Sequence, residues 1–251
     1  MENESNWIDN VSLVFSLLVI GLAGGWLVYS GTFENGIITS DNLIWHLIRS
    51  AGIASYILLT LSVLWGLALS SSVVKSWSPG PLTMVLHSTI SWLSLVLALI
   101  HGLLLLVDKY FSYQVTDIFV PFTGPYRAFA TGLGTLAFWI LVIVTPSFAL
   151  KKRFFSHRVW KTLHYLSYAA FMLVTAHGLM AGTDAPNVGF QLLFGISVLL
   201  TLILLGYRIG VKQAAAKAKP AHARSQPPAR TAADAVPDAP IIRQRATPSE
   251  G

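Results

Sequence analysis

Four of the chain's seven histidines stand inside stretches almost free of charge. His87 and His101 bracket HSTISWLSLVLALIH; His164 and His177 bracket HYLSYAAFMLVTAH. A lone histidine in an apolar segment is ordinarily a hydrogen-bonded interior residue or a member of a proton relay. Two spaced pairs on two segments suit ligation better. Neutral imidazole is the commonest metal ligand, and haem iron accepts it axially. At about 1.5 Å per helical residue, the 14 positions from His87 to His101 advance about 21 Å and the 13 from His164 to His177 about 19.5 Å. Two sites at that separation fit inside a hydrocarbon core of about 30 Å. Each segment then offers one histidine at each depth, which suits an electron path of two haems, one per leaflet. Angle is a harder condition. At about 100° per residue, 14 steps return to within about 40° of the starting face, whereas 13 miss it by about 140°. His164 and His177 therefore need helix tilt, a local bulge or different ring approaches.

The elements that must position these residues are membrane helices. Only 11% of residues are charged and 54% are hydrophobic, with mean hydropathy +0.62; an ordinary soluble domain carries about 25% charged residues. Six runs near the roughly 20 residues needed to cross a bilayer are expected as spans: Val11–Tyr29, Trp45–Ser70, Met84–Val107, Phe129–Leu150, Val159–Ala181 and Gly189–Ile209. The expected fold is thus all-α, a polytopic six-helix membrane bundle. Residues 1–44 hold the first span and an outer loop, 45–210 the histidine-bearing domain, and 211–251 a disordered tail rich in Ala, Pro and charge. The acidic start MENESNWIDN lacks the basic region of a cleaved signal peptide. With no cysteine, disulfides and cysteine-ligated iron–sulfur clusters are excluded.

Basic residues set the expected orientation. Lys75, Lys151, Lys152, Arg153, Arg158, Lys161 and the tail lysines gather on one side; Glu34, Asp41, Asp108, Asp117 and Asp184 lie on the other. Both termini are placed in the cytoplasm, in the inner (plasma) membrane of a prokaryote. His87 and His164 then lie near the inner face, His101 and His177 near the outer. The net charge of +6 is read as orientation beside a lipid bilayer, not as a nucleic-acid footprint.

The pattern His-x13-His followed by His-x12-His resembles the ferric reductase-like transmembrane domain, found in ferric reductases and the membrane half of NADPH oxidases. IRSAGIASYILLTLSVLWGLALSS, with Arg49 and Gly52 near its outer end, is similar to the family's second span. GPYRAFATGLGTLAFWILVIVTPSFALKKRFFSHRVWKTLHYLSYAAFMLVTAHGLMAGTD is similar to its fourth and fifth spans. The resemblance covers about residues 45–210. It implies two b-type haems, the inner held by His87 and His164 and the outer by His101 and His177. It also implies electron transfer from a cytoplasmic donor to an outer acceptor. Unlike the larger family members, the sequence shows no flavin- or nicotinamide-binding module. TGLGTL lies in an apolar span and reads as small-residue helix packing. FAD or FMN would enter only through a partner, and a separate flavoprotein reductase or quinol is expected as donor, with a periplasmic acceptor. One rival is a haem subunit serving a periplasmic oxidoreductase such as a methionine sulfoxide reductase; another is a non-redox transporter using its histidines for protons or metal.

Haem propionates are anions and need partners. Arg49 is expected to clamp the outer haem and Arg127 to assist it, the alternative being snorkelling to headgroups. Arg158 and Lys161, two turns and one turn before His164, are candidates for the inner propionates. Phe171 and Trp92 fall at mid-span, where aromatics pack between the haems or serve plain packing. The segment from Asp108 to Tyr126 is expected to form a partly ordered outer cap.

Overall fold

A computed structural model describes residues 43–71, 80–154 and 156–225. The expected first span, Lys75 and the chain beyond residue 225 lie outside them. Among the described residues the chain is all-helical, with α1 at Leu43–Ser70, α2 at Gly80–Leu104, a short α3 at Val115–Phe119, α4 at Ala128–Val144, α5 at Ser147–Phe154, α6 at His157–Ala181 and α7 at Val188–Ser225. The stretches Leu43–Ser70, Leu82–Leu104 and Val188–Ala216 are long and apolar enough to cross a membrane, and Ala128–Val144 is a shorter apolar helix. This is a helical membrane protein. With 25 residues, α6 has the length of a span but is not among the helices apolar enough to be counted as one, and it carries Arg158, Lys161, His164 and His177.

Two boundaries differ from expectation for identifiable reasons. The fourth run does not continue to Leu150: α4 stops at Val144 and α5 restarts at Ser147. Pro146 between them has no N–H to donate, and its ring opposes a continuous helix. At the other end, residues 211–225, expected as disordered tail, continue the helix. The segment KQAAAKAK is rich in strong helix formers. Contacts divide the chain into two units, Met1–Ile209 and Gly210–Gly251, and the site lies in the first.

Within that unit, α1 packs most extensively on α2, and α4 on α6. Tyr56, Leu59, Val63 and Leu67 of α1 meet Leu95, Ala137, Leu141, Ala170, Phe171 and Phe194 in one core. Ala137 and Ala170 are fully buried; side chains this small let helix backbones approach closely where no hydrophobic force drives association. Hydroxyls stitch α1 to α2. Ser55 Oγ donates to Ser94 O at 2.9 Å and Ser94 Oγ to Ser55 O at 3.0 Å, while Ser62 and Ser91 Oγ stand 2.6 Å apart. Ser156 caps α6, its Oγ accepting from Val159 N at 3.3 Å.

Candidate functional site

The four histidines form two pairs, each joining α2 to α6. The ring centroids of His87 and His164 are 6.2 Å apart, and those of His101 and His177 also 6.2 Å, with interplanar angles of 70° and 76°. A ring nitrogen lies about 1.1 Å from its centroid and a metal–imidazole bond is about 2 Å, so two imidazoles on opposite sides of one metal have centroids about 6.2 Å apart. Rings in direct hydrogen bond would stand closer, and unrelated rings have no reason to share one spacing at two depths. Among the described residues there is no group of three or more His, Cys, Asp or Glu able to hold a metal.

Backbone contacts fix which nitrogen faces the partner. His101 Nδ1 lies 2.8 Å from Ile48 O on α1, and His177 Nδ1 2.9 Å from Ala130 O on α4. A carbonyl only accepts, so in the neutral imidazole Nδ1 carries the proton and Nε2 keeps its lone pair. His87 Nδ1 is 3.5 Å from Ser62 Oγ, a weaker version of the same support.

Glycines back three of the rings. A Cβ on Gly52 would stand 3.0 Å from His101 Cε1 and Nδ1, one on Gly66 3.2 Å from His87 Cε1, and one on Gly134 2.9 Å from His177 Nδ1. Gly52 and Gly66 repeat the 14-residue spacing of the histidines they face, because α1 and α2 run antiparallel. In sequence, only Gly52 is marked by the family resemblance. Gly134 belongs to TGLGTL, whose small-residue packing proves to be packing against a histidine.

The angular mismatch on α6 is met by different ring approaches. His177 leans on α4 through Ala130 and Gly134. His164 stacks on Trp160, with centroids 5.4 Å apart and planes at 22°, and lies within electrostatic range of Arg208 on α7. The two rings thus leave α6 toward different neighbours and still reach α2.

The four cationic candidates take different partners. Arg49 is committed to Asp184: Nε donates to Oδ2 at 2.7 Å and Nη2 to Oδ1, and the guanidinium also lies 3.9 Å from the Trp45 ring centroid. It ties the start of α1 to the α6–α7 loop. Arg127, at φ 41°, donates from Nη1 to Met180 O at 2.6 Å and closes the end of α6. Arg158 and Lys161 are exposed on the first turns of α6. Two cations lie near His164: Arg208, a lone arginine near the end of an apolar run, and Lys151, whose Nζ is 4.1 Å from the centroid of the Trp160 ring stacked on His164. Phe171 is 1% exposed and stacks on Tyr56, centroids 6.0 Å apart, in the core between the two pairs. Trp92 packs at the edge of that core with its indole N–H unpartnered. The outer loop lies against the bundle: Ile118 O accepts from Thr135, Phe119 O from Trp139 Nε1 at 2.8 Å, and Tyr126 OH donates to Ala181 O.

Asp184→Asn is expected to lower the unfolding midpoint in detergent, because it leaves the Arg49 guanidinium without an anion. Side-chain exposures of 27% and 21% place the loss near about 1–2 kcal/mol, below the roughly 3–5 kcal/mol of a fully buried pair. Adding Arg49→Gln recovers part of it. A midpoint unchanged in Asp184→Asn refutes the clamp.

Residues 51–175 match the family model described as ferric reductase like transmembrane component. The match takes in His87, His101 and His164 and stops two residues before His177. No curated protein and no solved structure matches the chain.

Proposed function

Residues 51–175 make this chain a member of the ferric reductase-like transmembrane family, and from that premise we propose that it is a b-type cytochrome carrying electrons across a membrane. In this reading His87 and His164 hold an inner haem, His101 and His177 an outer one, and electrons pass from a cytoplasmic or quinol donor to an extracytoplasmic acceptor. The observation that carries it is the centroid spacing of 6.2 Å in both pairs, the spacing of two imidazoles sharing one metal. The protonated Nδ1 atoms of His101 and His177 fit the same donor set.

When bound, haem supplies a centre that takes up and returns a single electron. The chain's own part is positional. Carbonyls of Ile48 and Ala130 orient the outer imidazoles, Ser62 and Trp160 the inner ones, and the packed aromatics Tyr56, Phe171 and Phe194 exclude water between the two depths. Lys151, Arg158, Lys161 and Arg208 gather at the end of His87 and His164, while Asp108, Asp117 and Asp184 lie at the other. That asymmetry supports an inner pair on the cytoplasmic side of a plasma membrane, with six spans and both termini inside.

Pyridine haemochrome analysis of detergent-purified protein tests the reading. Two haems b per chain are expected in the wild type, falling to about one in His87→Ala and in His101→Ala. Absence of haem from well-folded protein made with ample haem supply sinks the cytochrome reading and favours transport.

A further inference from the structure

Arg208 is a cation inside the last long apolar helix, and its Nε is among the buried unpartnered donors of the described residues. It sits 20 positions into α7, about 30 Å along the helix. Its Nη1 donates to Tyr168 OH at 2.8 Å, and its guanidinium carbon lies 5.6 Å from the Tyr165 ring centroid. Tyr168 is one helical turn beyond His164, so the guanidinium stands on the flank of the inner pair. Its Nε is buried without a hydrogen-bond partner. Buried donors in native proteins are nearly always satisfied, and each exception calls for a group that is absent from view.

Charge makes the same demand. A cation within a membrane helix needs an anion or a path to water. The acidic residues of the described stretches are Asp108, Asp117 and Asp184, in the loops and the short α3 at the opposite end. The outer pair presents the contrast: its nearby arginines are satisfied, Arg49 by Asp184 and Arg127 by Met180 O. A second buried open donor, Trp160 Nε1, belongs to the ring stacked on His164. The inner end is therefore rich in donors and lacks a carboxylate, and the missing partner is an anionic oxygen group brought from outside the described polypeptide.

We propose that Arg208 binds a propionate carboxylate of the inner haem through its open Nε, with Tyr168 holding the guanidinium in place. The inference rests on His87 and His164 being haem ligands. It makes Arg208 a positioning residue that also sets potential. A carboxylate left without its cation favours the oxidised metal, so loss of Arg208 lowers the midpoint of one haem and leaves the other unchanged.

The experiment is a spectroelectrochemical titration of full-length protein, wild type and Arg208→Gln, each produced without haem and reconstituted with either haem b or haem b dimethyl ester. With haem b, Arg208→Gln is expected to cut the reduced-to-oxidised ratio of one haem about tenfold at fixed poise, a shift of about 59 mV for one electron. With the ester, which has no carboxylate, the substitution is expected to shift nothing. Arg208→Lys keeps the charge and restores most of the haem b midpoint, which separates the effect from misfolding. An equal shift with the ester overturns the proposal, because Arg208 then acts on His164 through space or serves a lipid phosphate. No shift with haem b, in protein holding two haems, overturns it alone. Wild type that binds no haem overturns the cytochrome reading first, and this inference with it.

Discussion

In the proposed cytochrome, alanine at Gly134 is expected to cost the outer haem while leaving the inner one in place. The added Cβ would stand 2.9 Å from His177 Nδ1, 3.0 Å from Cε1 and 3.1 Å from Cγ, below ordinary van der Waals contact for the whole edge of the ring. The ring cannot retreat without leaving Ala130 O, which fixes its tautomer. Overpacking of this kind costs about 1–3 kcal/mol, and here the displaced atoms are the proposed ligand itself. Haem per chain should fall from two toward one, with fold retained by circular dichroism. Gly52→Ala, at 3.0 Å from His101, should be milder, and Gly66→Ala, at 3.2 Å from His87, milder still and confined to the inner haem. An unaltered haem content in Gly134→Ala would mean that His177 does not need the position it occupies.

The largest stability loss is expected from Phe171→Ala. Phe171 is 1% exposed and packs in the core with Tyr56 and Phe194. In water such a truncation would lose transfer free energy as well as packing. In a bilayer the unfolded reference is already apolar, so the cavity dominates. At about 24 cal/mol per Å³ over roughly 100 Å³ that is about 2.4 kcal/mol. Tyr56 loses its stacking partner at the same time. Thermal unfolding in detergent should show a drop of that size, with Phe171→Leu recovering most of it. A loss below that of an exposed control such as Met172→Ala would contradict the packing account.

The histidine pairing was legible in the sequence because depth along a helix follows from residue number alone. His87 with His164 and His101 with His177 need only matched spacing on two spans that run in the same direction. What faces each ring from a third helix was not legible. Gly66 and Gly134 are separated in sequence from the histidines they touch, and nothing in the periodicity of an almost uniformly apolar span marks one face as special. Arg49 was legible as a cation needing an anion, but its partner Asp184 lies 135 positions away. Arg208 carries no distinguishing signal in the sequence, because a basic residue near the end of a span is ordinary in topology. Its open Nε is visible only with Tyr168 beside it. The α4–α5 break at Pro146 was legible and its consequence understated, since apolarity continues through it to Leu150. The helix over 211–225 shows the converse, where an alanine-rich polar stretch has the propensity for structure without a core to explain it.

Three of the four paired histidines are buttressed by a neighbouring helix, and His164 by Trp160 of its own helix. His87 and His101 rest on α1 through Gly66, Ser62, Gly52 and Ile48, and His177 rests on α4 through Gly134 and Ala130. The α1–α2 hairpin therefore supports both of its histidines, and the α4–α6 hairpin supports His177, before the two meet. During biogenesis neither hairpin can retain a two-point ligand by itself. Cofactor capture becomes the event that reports successful mating of the two, and its binding free energy is added to their association and not to the folding of either. A chain whose hairpins insert correctly but fail to join would look fully helical, sit in the membrane and be colourless.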